Sequence, residues 1–342
     1  MKTGTGGRGR PLRVAVAGAT GMVGREFIEL LEMRQLPLAE LRLFASQRSA
    51  GEQVSCRGRM WPVEDLAEAR AGDLDLVFFS AGGAVAREHA PRFAEAGAIV
   101  IDNSSAFRED PAVPLVVPEI NGDLLARGEA RLIANPNCTT IILLLPLAAL
   151  HRALGLDEVI VSTYQAVSGA GRRALEDLVG QAHAHALGEP ETRRFFDRPI
   201  FLNVIPQIGE WTESGDCLEE RKVARETWRI LGDDSFPVYA TTVRVPVERC
   251  HSESVFARVK RPTSVAEVRE LLAAAPGVAL HDLPTPRELA RREEAFVGRI
   301  RVAPGDPRVV RFWVVSDQLW KGAALNGIQI AERLIAAGRF DG

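Results

Sequence analysis

The sequence predicts a two-domain protein, in which an N-terminal doubly wound α/β domain with a parallel sheet precedes an α+β domain with a larger sheet. Two patterns predict this architecture. As far as Ile133, apolar runs of about five residues alternate with amphipathic helical stretches, as in parallel strands covered by helices on both faces. After Cys138, the strand-like segments are longer and mix polar with apolar residues. The chain of 342 residues is long enough for two packed cores.

Composition excludes several classes of protein. Hydrophobic residues make up 46% and charged residues 25% of the chain, which are ordinary values for a folded globular protein. The net charge of −3 provides no overall basic field, so we expect no nucleic-acid partner. The longest apolar run, residues 141–150, contains Pro146 and is too short to span a membrane. The four cysteines show neither metal-binding nor disulfide spacing, so we expect reduced thiols, no metal site and a cytoplasmic location.

The N-terminal domain is expected to occupy residues 12–137. It follows a polar, glycine-rich leader at residues 1–11, which we expect to be disordered. Its first strand, at 12–17, leads directly into a helix at about 22–34. Further apolar runs predict strands at 41–46, 73–79 and 98–102, with a helix near 85–96 before the last of them.

The α+β domain is expected over residues 138–318, with an antiparallel sheet. The last segment, 319–342, is expected to form a helix at about 322–337 that folds back onto the first domain. The predicted strands of the α+β domain lie at 158–167, 239–248, 252–260 and 309–317, and its helices near 141–150, 170–187 and 265–275.

Three glycines directly after the first strand indicate a phosphate-binding turn. They have the spacing G-x-x-G-x-x-G at the start of the following helix. Glycine permits a tight turn, and main-chain N–H groups at a helix N-terminus can then approach a pyrophosphate. An ordinary turn is the alternative, but the position between strand and helix favours dinucleotide binding. The residues expected to contact the dinucleotide are Gly18, Thr20, Gly21, Met22, Val23 and Gly24.

The segment after the second strand distinguishes between the two nicotinamide dinucleotides. An NAD site would place Asp or Glu there to bind the ribose hydroxyls. This chain instead has Ser46, Arg48 and Ser49, and no carboxylate before Glu52. A guanidinium and two hydroxyls suit a 2′-phosphate, so NADP is favoured over NAD. The alternative is that Arg48 is a solvated loop residue in an arginine-rich chain.

Cys138 is the candidate nucleophile, because it precedes the apolar helix in the segment NPNCTT. The positive end of a helix dipole favours the thiolate form of a cysteine. A free cysteine is otherwise a small core hydrophobe. The polar neighbours Asn137, Thr139 and Thr140 make that alternative less favourable.

His251 is the candidate proton-transfer residue among the six histidines. It follows the strand-like segment that contains Arg244, a residue suited to binding an anionic substrate. His183 and His185 are two apart on a predicted helix and so form a poor metal-binding pair. Cys250 is adjacent to His251, but neighbours on a strand point to opposite faces, so we expect no pairing between them.

Taken together, the motifs resemble aspartate-semialdehyde dehydrogenase. The match runs in order from Leu12 to Phe340, nearly the whole chain. It is carried by GATGMVG, ASQRSAG, FFSAGG, IDNSSAFR, NPNCTT, STYQAVSGAG, FLNVIPQIG, TTVRVPVERCHS, PTP, FVGRIR and GAALNGIQIAE.

The resemblance implies a Rossmann-type NADP-binding domain and a catalytic and dimerisation domain like that of glyceraldehyde-3-phosphate dehydrogenase. It also implies a homodimer or homotetramer. Enzymes of this family reduce L-aspartyl 4-phosphate to L-aspartate 4-semialdehyde with NADPH and release inorganic phosphate. The reaction leads towards lysine (through diaminopimelate), methionine and threonine. The partners implied are therefore small-molecule substrates, with neither nucleic acid nor membrane.

The resemblance also implies residue roles. Cys138 would be the nucleophile that forms a thioester, and His251 the acid/base residue. If His251 has that role, we expect the pH profile of turnover to include a group that titrates near neutrality. Gln165 would position the reacting group, Arg244 would bind the substrate carboxylate, and Asn137 would support the oxyanion.

Further residues match the family's ligand-binding positions. Arg108 and Lys222 match phosphate ligands, and Glu219 matches a group that faces the substrate amino group. An exposed helical ion pair is the alternative for Glu219 and Lys222, which are three residues apart. The remaining expected cofactor contacts are Ser80, Gly82, Ser168, Gly169 and Gln318.

Two departures from the family pattern are visible. The segment DQLWKG places Gln318 and Trp320 where Asn and Arg are expected, so a cation is missing there. Cys250 stands where glycine is usual.

Three other hypotheses about the function compete with the one that the resemblance to aspartate-semialdehyde dehydrogenase implies. N-acetyl-γ-glutamyl-phosphate reductase has the same fold and chemistry, but its nucleophile segment reads NPGCYPT. Glyceraldehyde-3-phosphate dehydrogenase should carry SCTT and an acidic residue after the second strand. A non-catalytic paralogue acting as an interaction protein should have lost Cys138, Arg244 or His251, and all three are present.

Overall fold

A computed structural model describes residues 10–190 and 194–341. These residues form two compact units, one made of 10–136 with 323–341 and the other running through 137–322 apart from the undescribed gap. Nine of the eleven residues of the expected leader lie outside the described residues. Arg10 is described, and its guanidinium binds the carboxylate of Asp75 at 2.8 Å.

The first unit contains a seven-stranded sheet with the strand order β3-β4-β2-β1-β5-β6-β7. All of its strand pairs are parallel except β3–β4, which confirms the doubly wound architecture. Its elements are β1 (Leu12–Ala17), α1 (Met22–Met33), β2 (Leu38–Ala45), β3 (Gln53–Cys56), β4 (Arg59–Asp65), β5 (Leu76–Phe79), α2 (Gly83–Glu95), β6 (Ile99–Asp102), α3 (Pro118–Asn121), α4 (Leu124–Arg127) and β7 (Leu132–Ala134).

The C-terminal helix belongs to this first unit, as expected. It is α10 (Leu325–Ala336), and a π-helical turn at Trp320–Ala324 precedes it. It packs against α1, where a Cβ on Gly327 would lie 2.8 Å from the ring of Phe27. Arg34, the residue that follows α1, forms an ion pair at 2.8 Å with Glu332 on α10. Residues 323–341 therefore complete the core of the N-terminal domain.

The strand order places a topological switch point between β1 and β5. The chain crosses from β1 to β2 on one side and continues through β5 and β6 on the other. Open parallel sheets bind ligands in the crevice at the carboxyl ends of such strands. The predicted glycine turn follows β1, and Ser80 follows β5, so both lie at this crevice.

The second unit contains a six-stranded sheet with the strand order β11-β12-β13-β10-β8-β9. Its elements are α5 (Cys138–Leu154), β8 (Leu156–Ala166), α6 (Arg172–Leu187), α7 (Leu218–Leu231), β9 (Val238–Val245), β10 (His251–Val259), α8 (Val265–Ala273), β11 (Val278–Leu280), α9 (Pro286–Leu289), β12 (Ala295–Ala303) and β13 (Asp306–Ser316).

The expectation of an antiparallel sheet is wrong for two strand pairs. The pairs β8–β9 and β11–β12 are parallel, whereas the central pairs are antiparallel. The chain between β8 and β9 contains α6 and α7, and such a long crossover connection allows two neighbouring strands to run in the same direction. The sheet is therefore mixed.

The two faces of this sheet differ in burial. Helix α5 is apolar on all sides, and twelve of its seventeen residues are buried, as expected for a helix inside a core. The opposite face of the sheet carries large side chains that stay partly in solvent, including Ile160 at 42%, Tyr164 at 38% and Tyr239 at 57% exposure. No helix within the described residues is long and apolar enough to cross a membrane.

Candidate active site

In the turn after β1, two positions lie too close to neighbouring backbone atoms to carry a side chain. Gly18 has φ of 84°, and a Cβ there would lie 2.3 Å from the carbonyl oxygen of Ser80. A Cβ on Gly24 would lie 2.0 Å from the carbonyl oxygen of Gly18. Helix α1 then begins at Met22 without a side-chain cap on its first turn. A backbone so closely packed at an uncapped helix N-terminus fits a bound pyrophosphate.

The segment after β2 lies beside this turn. The hydroxyl of Thr20 donates to that of Ser49 at 3.4 Å. Ser46 and Arg48 are exposed, and Arg48 has no polar partner among the described residues. The structure thus brings Thr20 together with the predicted 2′-phosphate segment. The group of donors, with no carboxylate in it, suits a phosphate.

The other predicted ligands of the first unit follow the neighbouring strands. Gly82 immediately precedes α2 with φ of 88°. Arg108 is buried, and its guanidinium donates to the carbonyl oxygens of Asn103 and Asn135, both at 2.9 Å. These bonds fix the direction of the Arg108 side chain; its phosphate-binding role stays a prediction.

In the second unit, Cys138 is the first residue of α5. Asn137 caps this helix, since its Oδ1 accepts hydrogen bonds from the main-chain N–H groups of Thr139 and Thr140 at 2.9 and 3.2 Å. A Cβ on Gly322 would lie 2.8 Å from the Cβ of Cys138, so a glycine is needed beside the thiol. The helix starts three residues earlier than the apolar run alone predicts, because the Asn137 cap extends it.

A buried polar cluster surrounds the carboxylate of Glu219 on α7. Glu219 Oε1 accepts hydrogen bonds from Asn137 Nδ2 at 2.9 Å and from Gln165 Nε2 at 3.2 Å. The ammonium of Lys222 lies 3.4 Å from Glu219 Oε2. Thr163 donates to Gln165 Oε1 at 3.0 Å and so orients that amide. The structure thus brings three predicted site residues together around the carboxylate of a fourth, Glu219.

Glu219 and Lys222 do form the ion pair that their spacing favours, but the expectation that the pair is exposed is wrong, because Glu219 is buried. Burial acts to raise the pKa of its carboxyl, but the charge of Lys222 and the hydrogen bonds from Asn137 and Gln165 outweigh burial, so the pKa lies below its ordinary value. Glu219 is therefore a buried anion.

Arg244, near the end of β9, is buried next to this cluster. Its guanidinium donates to the carbonyl oxygen of Ala166 at 2.6 Å. Burial lowers the pKa of Arg244, whereas the charges of Glu219 and of the Cys138 thiolate act in the opposite direction. A cation held near a nucleophile and an anion can bind one end of a charged substrate.

His251, the first residue of β10, is buried next to Arg244. Its Nδ1 accepts a hydrogen bond from the main-chain N–H of Ala166 at 3.0 Å, so the neutral ring carries its proton on Nε2. Nε2 has no partner among the described residues, and a Cβ on Gly169 would lie 3.1 Å from it. The absence of a side chain at Gly169 leaves space beside the buried Nε2–H.

The pKa of His251 bears on its expected titration near neutrality. Burial and the positive charge of Arg244 hold this pKa well below its ordinary value. The shift favours the neutral imidazole over the charged form, and the acid/base role of His251 stays a prediction.

Ser168 and Gln318 contact each other within the second unit. Gln318 Nε2 donates to Ser168 Oγ at 2.6 Å, and Ser168 donates to the carbonyl oxygen of Glu248. Gln318 Oε1 accepts from the main-chain N–H of Cys250 at 2.7 Å. This chain of bonds orients the segment before His251. A cofactor contact by Ser168, Gly169 or Gln318 stays a prediction.

Two domain models match the amino-acid sequence. They are described as "Semialdehyde dehydrogenase, NAD binding domain", over residues 13–127, and "Semialdehyde dehydrogenase, dimerisation domain", over residues 147–321. Aspartate-semialdehyde dehydrogenases from Aquifex aeolicus and Mycolicibacterium smegmatis are 44% and 45% identical to this chain, over 95% of it and 98% and 99% of theirs. The chain belongs to the aspartate-semialdehyde dehydrogenase family.

Solved structures of the aspartate-semialdehyde dehydrogenase family agree with this assignment. Aspartate semialdehyde dehydrogenase II from Vibrio cholerae, complexed with ASA, superposes with a TM-score of 0.94 at 38% identity, covering 96% of this chain and 99% of that one. The enzyme with NADP from Candida albicans superposes with a TM-score of 0.74 at 28% identity, with the same coverage of each chain.

Cys250, a departure from the aspartate-semialdehyde dehydrogenase pattern, has a conformation that explains the usual glycine. Its φ is 72°, in the left-handed region that favours glycine. The side chain is buried against Leu289 and Val315. Burial, together with the charge of Asp317, raises the pKa of its thiol well above the ordinary range. Cys250 is thus an inert core residue beside the site.

Glu226 contacts a predicted site residue of this aspartate-semialdehyde dehydrogenase family member, but it is not among the residues predicted from the sequence. Its Oε2 accepts a hydrogen bond from the main-chain N–H of Asn137 at 2.6 Å. A signal was present, because Glu226 follows Glu219 by seven residues, or two helical turns, and so shares its face of α7.

Glu253 on β10 is a second buried acid, and neither of its carboxylate oxygens has a partner among the described residues. Burial raises its pKa well above the ordinary value. The unfolded chain therefore releases a proton near pH 4.5 that the native state keeps, and native stability falls by about 1.4 kcal/mol per pH unit above that point until the native pKa is reached.

Glu253→Gln is accordingly expected to raise the free energy of unfolding at pH 8 and to leave it nearly unchanged at pH 4. Urea titrations at the two pH values measure this difference. Glu288→Gln, at the exposed α9, serves as the control. An equal effect of Glu253→Gln at both pH values would contradict a buried neutral carboxyl.

Proposed function

We propose that the protein catalyses the NADPH-dependent reduction of L-aspartyl 4-phosphate to L-aspartate 4-semialdehyde with release of inorganic phosphate. The observation that carries the proposal is the cluster in the second unit. It gathers a cysteine at a helix start, a buried guanidinium, a buried carboxylate and an imidazole whose Nε2 has no partner among the described residues. The product lies on the route to lysine, methionine and threonine.

The chemistry begins at Cys138. Its thiolate attacks the acyl carbon of the substrate, the C–O bond to phosphate breaks, and inorganic phosphate leaves a thioester on Sγ. NADPH, when bound, supplies the hydride that reduces this thioester. The resulting tetrahedral adduct expels the thiolate, and the aldehyde is released with Cys138 regenerated.

Charge complementarity supports the assignment of the substrate. Arg244 would bind the α-carboxylate through two parallel hydrogen bonds, and the buried anion Glu219 would face the α-ammonium. Lys222 and Arg108 would bind the phosphate. This pairing favours a substrate with a free amino group over an N-acetylated one, because an acetamide has no positive charge to pair with the buried anion Glu219.

His251 would act through Nε2–H. Because Nδ1 is occupied by the Ala166 N–H, a neutral ring donates a hydrogen bond to the oxyanion of the tetrahedral adduct. Asn137 is less suited to the oxyanion role that the resemblance implies, since its Nδ2 already donates to Glu219 and its Oδ1 caps α5.

The glycine turn and Arg48 support NADP as the cofactor. Arg48→Ala is expected to raise the KM for NADPH about ten- to a hundredfold, because one arginine–phosphate contact contributes roughly 1.5–3 kcal/mol. The low activity with NADH should stay unchanged. Initial rates with each cofactor measure the effect, and Arg59→Ala, an exposed arginine on β4 that stacks on Trp61, is the control. An equal loss of activity with NADPH and with NADH would show that Arg48 does not bind the 2′-phosphate.

A steady-state assay tests the whole proposal. Purified protein should oxidise NADPH with aspartyl phosphate, and reduce NADP⁺ with aspartate semialdehyde only when phosphate is present. N-acetylglutamyl phosphate should be a poor substrate. A preference for that substrate would favour N-acetyl-γ-glutamyl-phosphate reductase, and no turnover with either would favour a non-catalytic paralogue.

We also propose that the chain forms a homodimer, or a dimer of dimers, through the open face of the second sheet. Ile160, Tyr164 and Tyr239 are partly exposed there, and Tyr164 contacts the ring of Trp313 at 5.2 Å. Light scattering at micromolar concentration should give at least twice 37.2 kDa. Tyr239→Asp with Ile160→Asp should halve that mass, whereas Met33→Asp, an exposed apolar position of the first unit, should not. An active parent monomer would contradict the dimer.

A further inference from the structure

We propose that Glu226 is a positioning residue for Cys138, which acts by fixing the main chain of the residue before the nucleophile. The inference rests on the proposed role of Cys138. Glu226 is 4% exposed, and its carboxylate accepts the Asn137 N–H at 2.6 Å, the short distance of a hydrogen bond to a charged group.

Glu226 lies on α7 and supplies one hydrogen bond of the cap at the start of α5. In a capping box, an acid three residues after the cap accepts a hydrogen bond from the cap residue's own N–H. At the start of α5 that position is Thr140, which is too short to reach back. Glu226 on α7 binds this N–H instead.

Two carboxylates two turns apart on α7 thus hold Asn137 at two points. Glu219 accepts from its side-chain amide at 2.9 Å, and Glu226 accepts from its main-chain N–H. Its Oδ1 meanwhile binds the first turn of α5. With the side chain and the main chain both fixed, Asn137 cannot rotate without breaking a buried charged hydrogen bond.

The consequence for chemistry is the position of the sulfur. Cys138 is joined directly to Asn137, so rotation of the Asn137 backbone would displace Sγ. A misplacement of about 1 Å can lower a rate about 10²-fold. The carboxylate of Glu226 needs no contact with the substrate for this role.

The experiment separates reach from charge with two variants. Glu226→Gln keeps an acceptor oxygen at the same distance and removes the charge, whereas Glu226→Asp keeps the charge and withdraws the acceptor by one methylene. Glu220→Asp is the matched control: this acid on the same helix binds the main-chain N–H groups of Cys217 and Thr242, at 2.7 and 2.9 Å.

Three readouts are compared: kcat and KM with aspartyl phosphate, the pH profile of Cys138 alkylation by iodoacetamide, and the urea midpoint. For Glu226→Asp we expect kcat about 10- to 100-fold lower, an unchanged KM and a shifted alkylation profile. Glu226→Gln and Glu220→Asp should keep kcat and KM within about threefold of the parent and leave the alkylation profile unchanged.

Three results would overturn the proposal: a normal Glu226→Asp enzyme, equal impairment of Glu226→Gln, or equal impairment of Glu220→Asp. A lower urea midpoint in Glu226→Asp with normal kcat and alkylation would also overturn it, because that combination is a purely structural role. The alkylation readout does not need the substrate. A parent without turnover that still shows the alkylation shift in Glu226→Asp would refute the proposed function and support the positioning role.

Discussion

Cys138→Ser is expected to lower turnover by about 10⁴- to 10⁶-fold, the range seen when a covalent nucleophile is removed. A hydroxyl at this position is not ionised at neutral pH, whereas a thiol at the start of a helix gains thiolate character. The measurements are kcat with aspartyl phosphate and the number of thiols that react rapidly with iodoacetamide. One fast thiol should be present in the parent and absent from the variant.

Cys217→Ser is the matched control for this experiment. Cys217 caps the start of α7 and bonds to the hydroxyl of Thr242 at 3.1 Å, but it is fully buried. A serine there can make the same bonds, so full activity is expected. Nearly full turnover in Cys138→Ser, together with loss of turnover in Cys217→Ser or Cys250→Ser, would identify a different nucleophile.

His251→Asn is expected to lower kcat about 10²- to 10⁴-fold with little change in the KM for substrate. Removing the Nε2–H donor affects the transition state, where negative charge develops, more than it affects substrate binding. Arg244→Lys provides the contrast: it should mainly raise KM, because an ammonium cannot reproduce a two-pronged contact with a carboxylate. If His251→Asn raised KM alone, the donor role would be wrong.

Stability against pH provides an independent test of the state of His251. Its native pKa is held well below that of the unfolded chain, by burial and by Arg244. The unfolded state therefore binds an extra proton below about pH 6.5, and native stability falls as the pH decreases from there towards the native pKa. Urea midpoints at pH 7.5 and 5.5 should differ more in the parent than in His251→Asn. Equal differences would mean that the histidine is not held neutral.

Much of the fold could be predicted from local patterns. The strand–turn–helix at residues 12–34 is specified by an apolar run, glycines and an amphipathic repeat that are contiguous in sequence. The parallel pairing of β8 with β9 was missed, since pairing direction depends on where the intervening helices pack. The residues of β8 and β9 alone do not indicate where those helices pack.

The candidate site shows the same limit. Cys138, Arg244 and His251 could be identified because their residue types and neighbouring motifs indicate chemistry. The burial of Glu219 and the tautomer of His251 could not, because each depends on contacts between distant segments, such as the Ala166 N–H on His251 Nδ1. Glu226 was missed for the same reason, since its partner lies 89 residues away in the chain.

The return of α10 to the N-terminal unit has a consequence for the order of events during synthesis. Leu325, Ile328 and Leu334 are buried in the first unit, whose remaining residues outside 323–341 are all translated before residue 137. The first unit therefore emerges from the ribosome incomplete until residues 323–341 are made, while the second unit can close as soon as Gly322 is free. A nascent chain that stalls after the second unit would thus carry a complete second unit and an incomplete first unit, and the apolar face of α1 that α10 covers would be available to chaperones until α10 is synthesised.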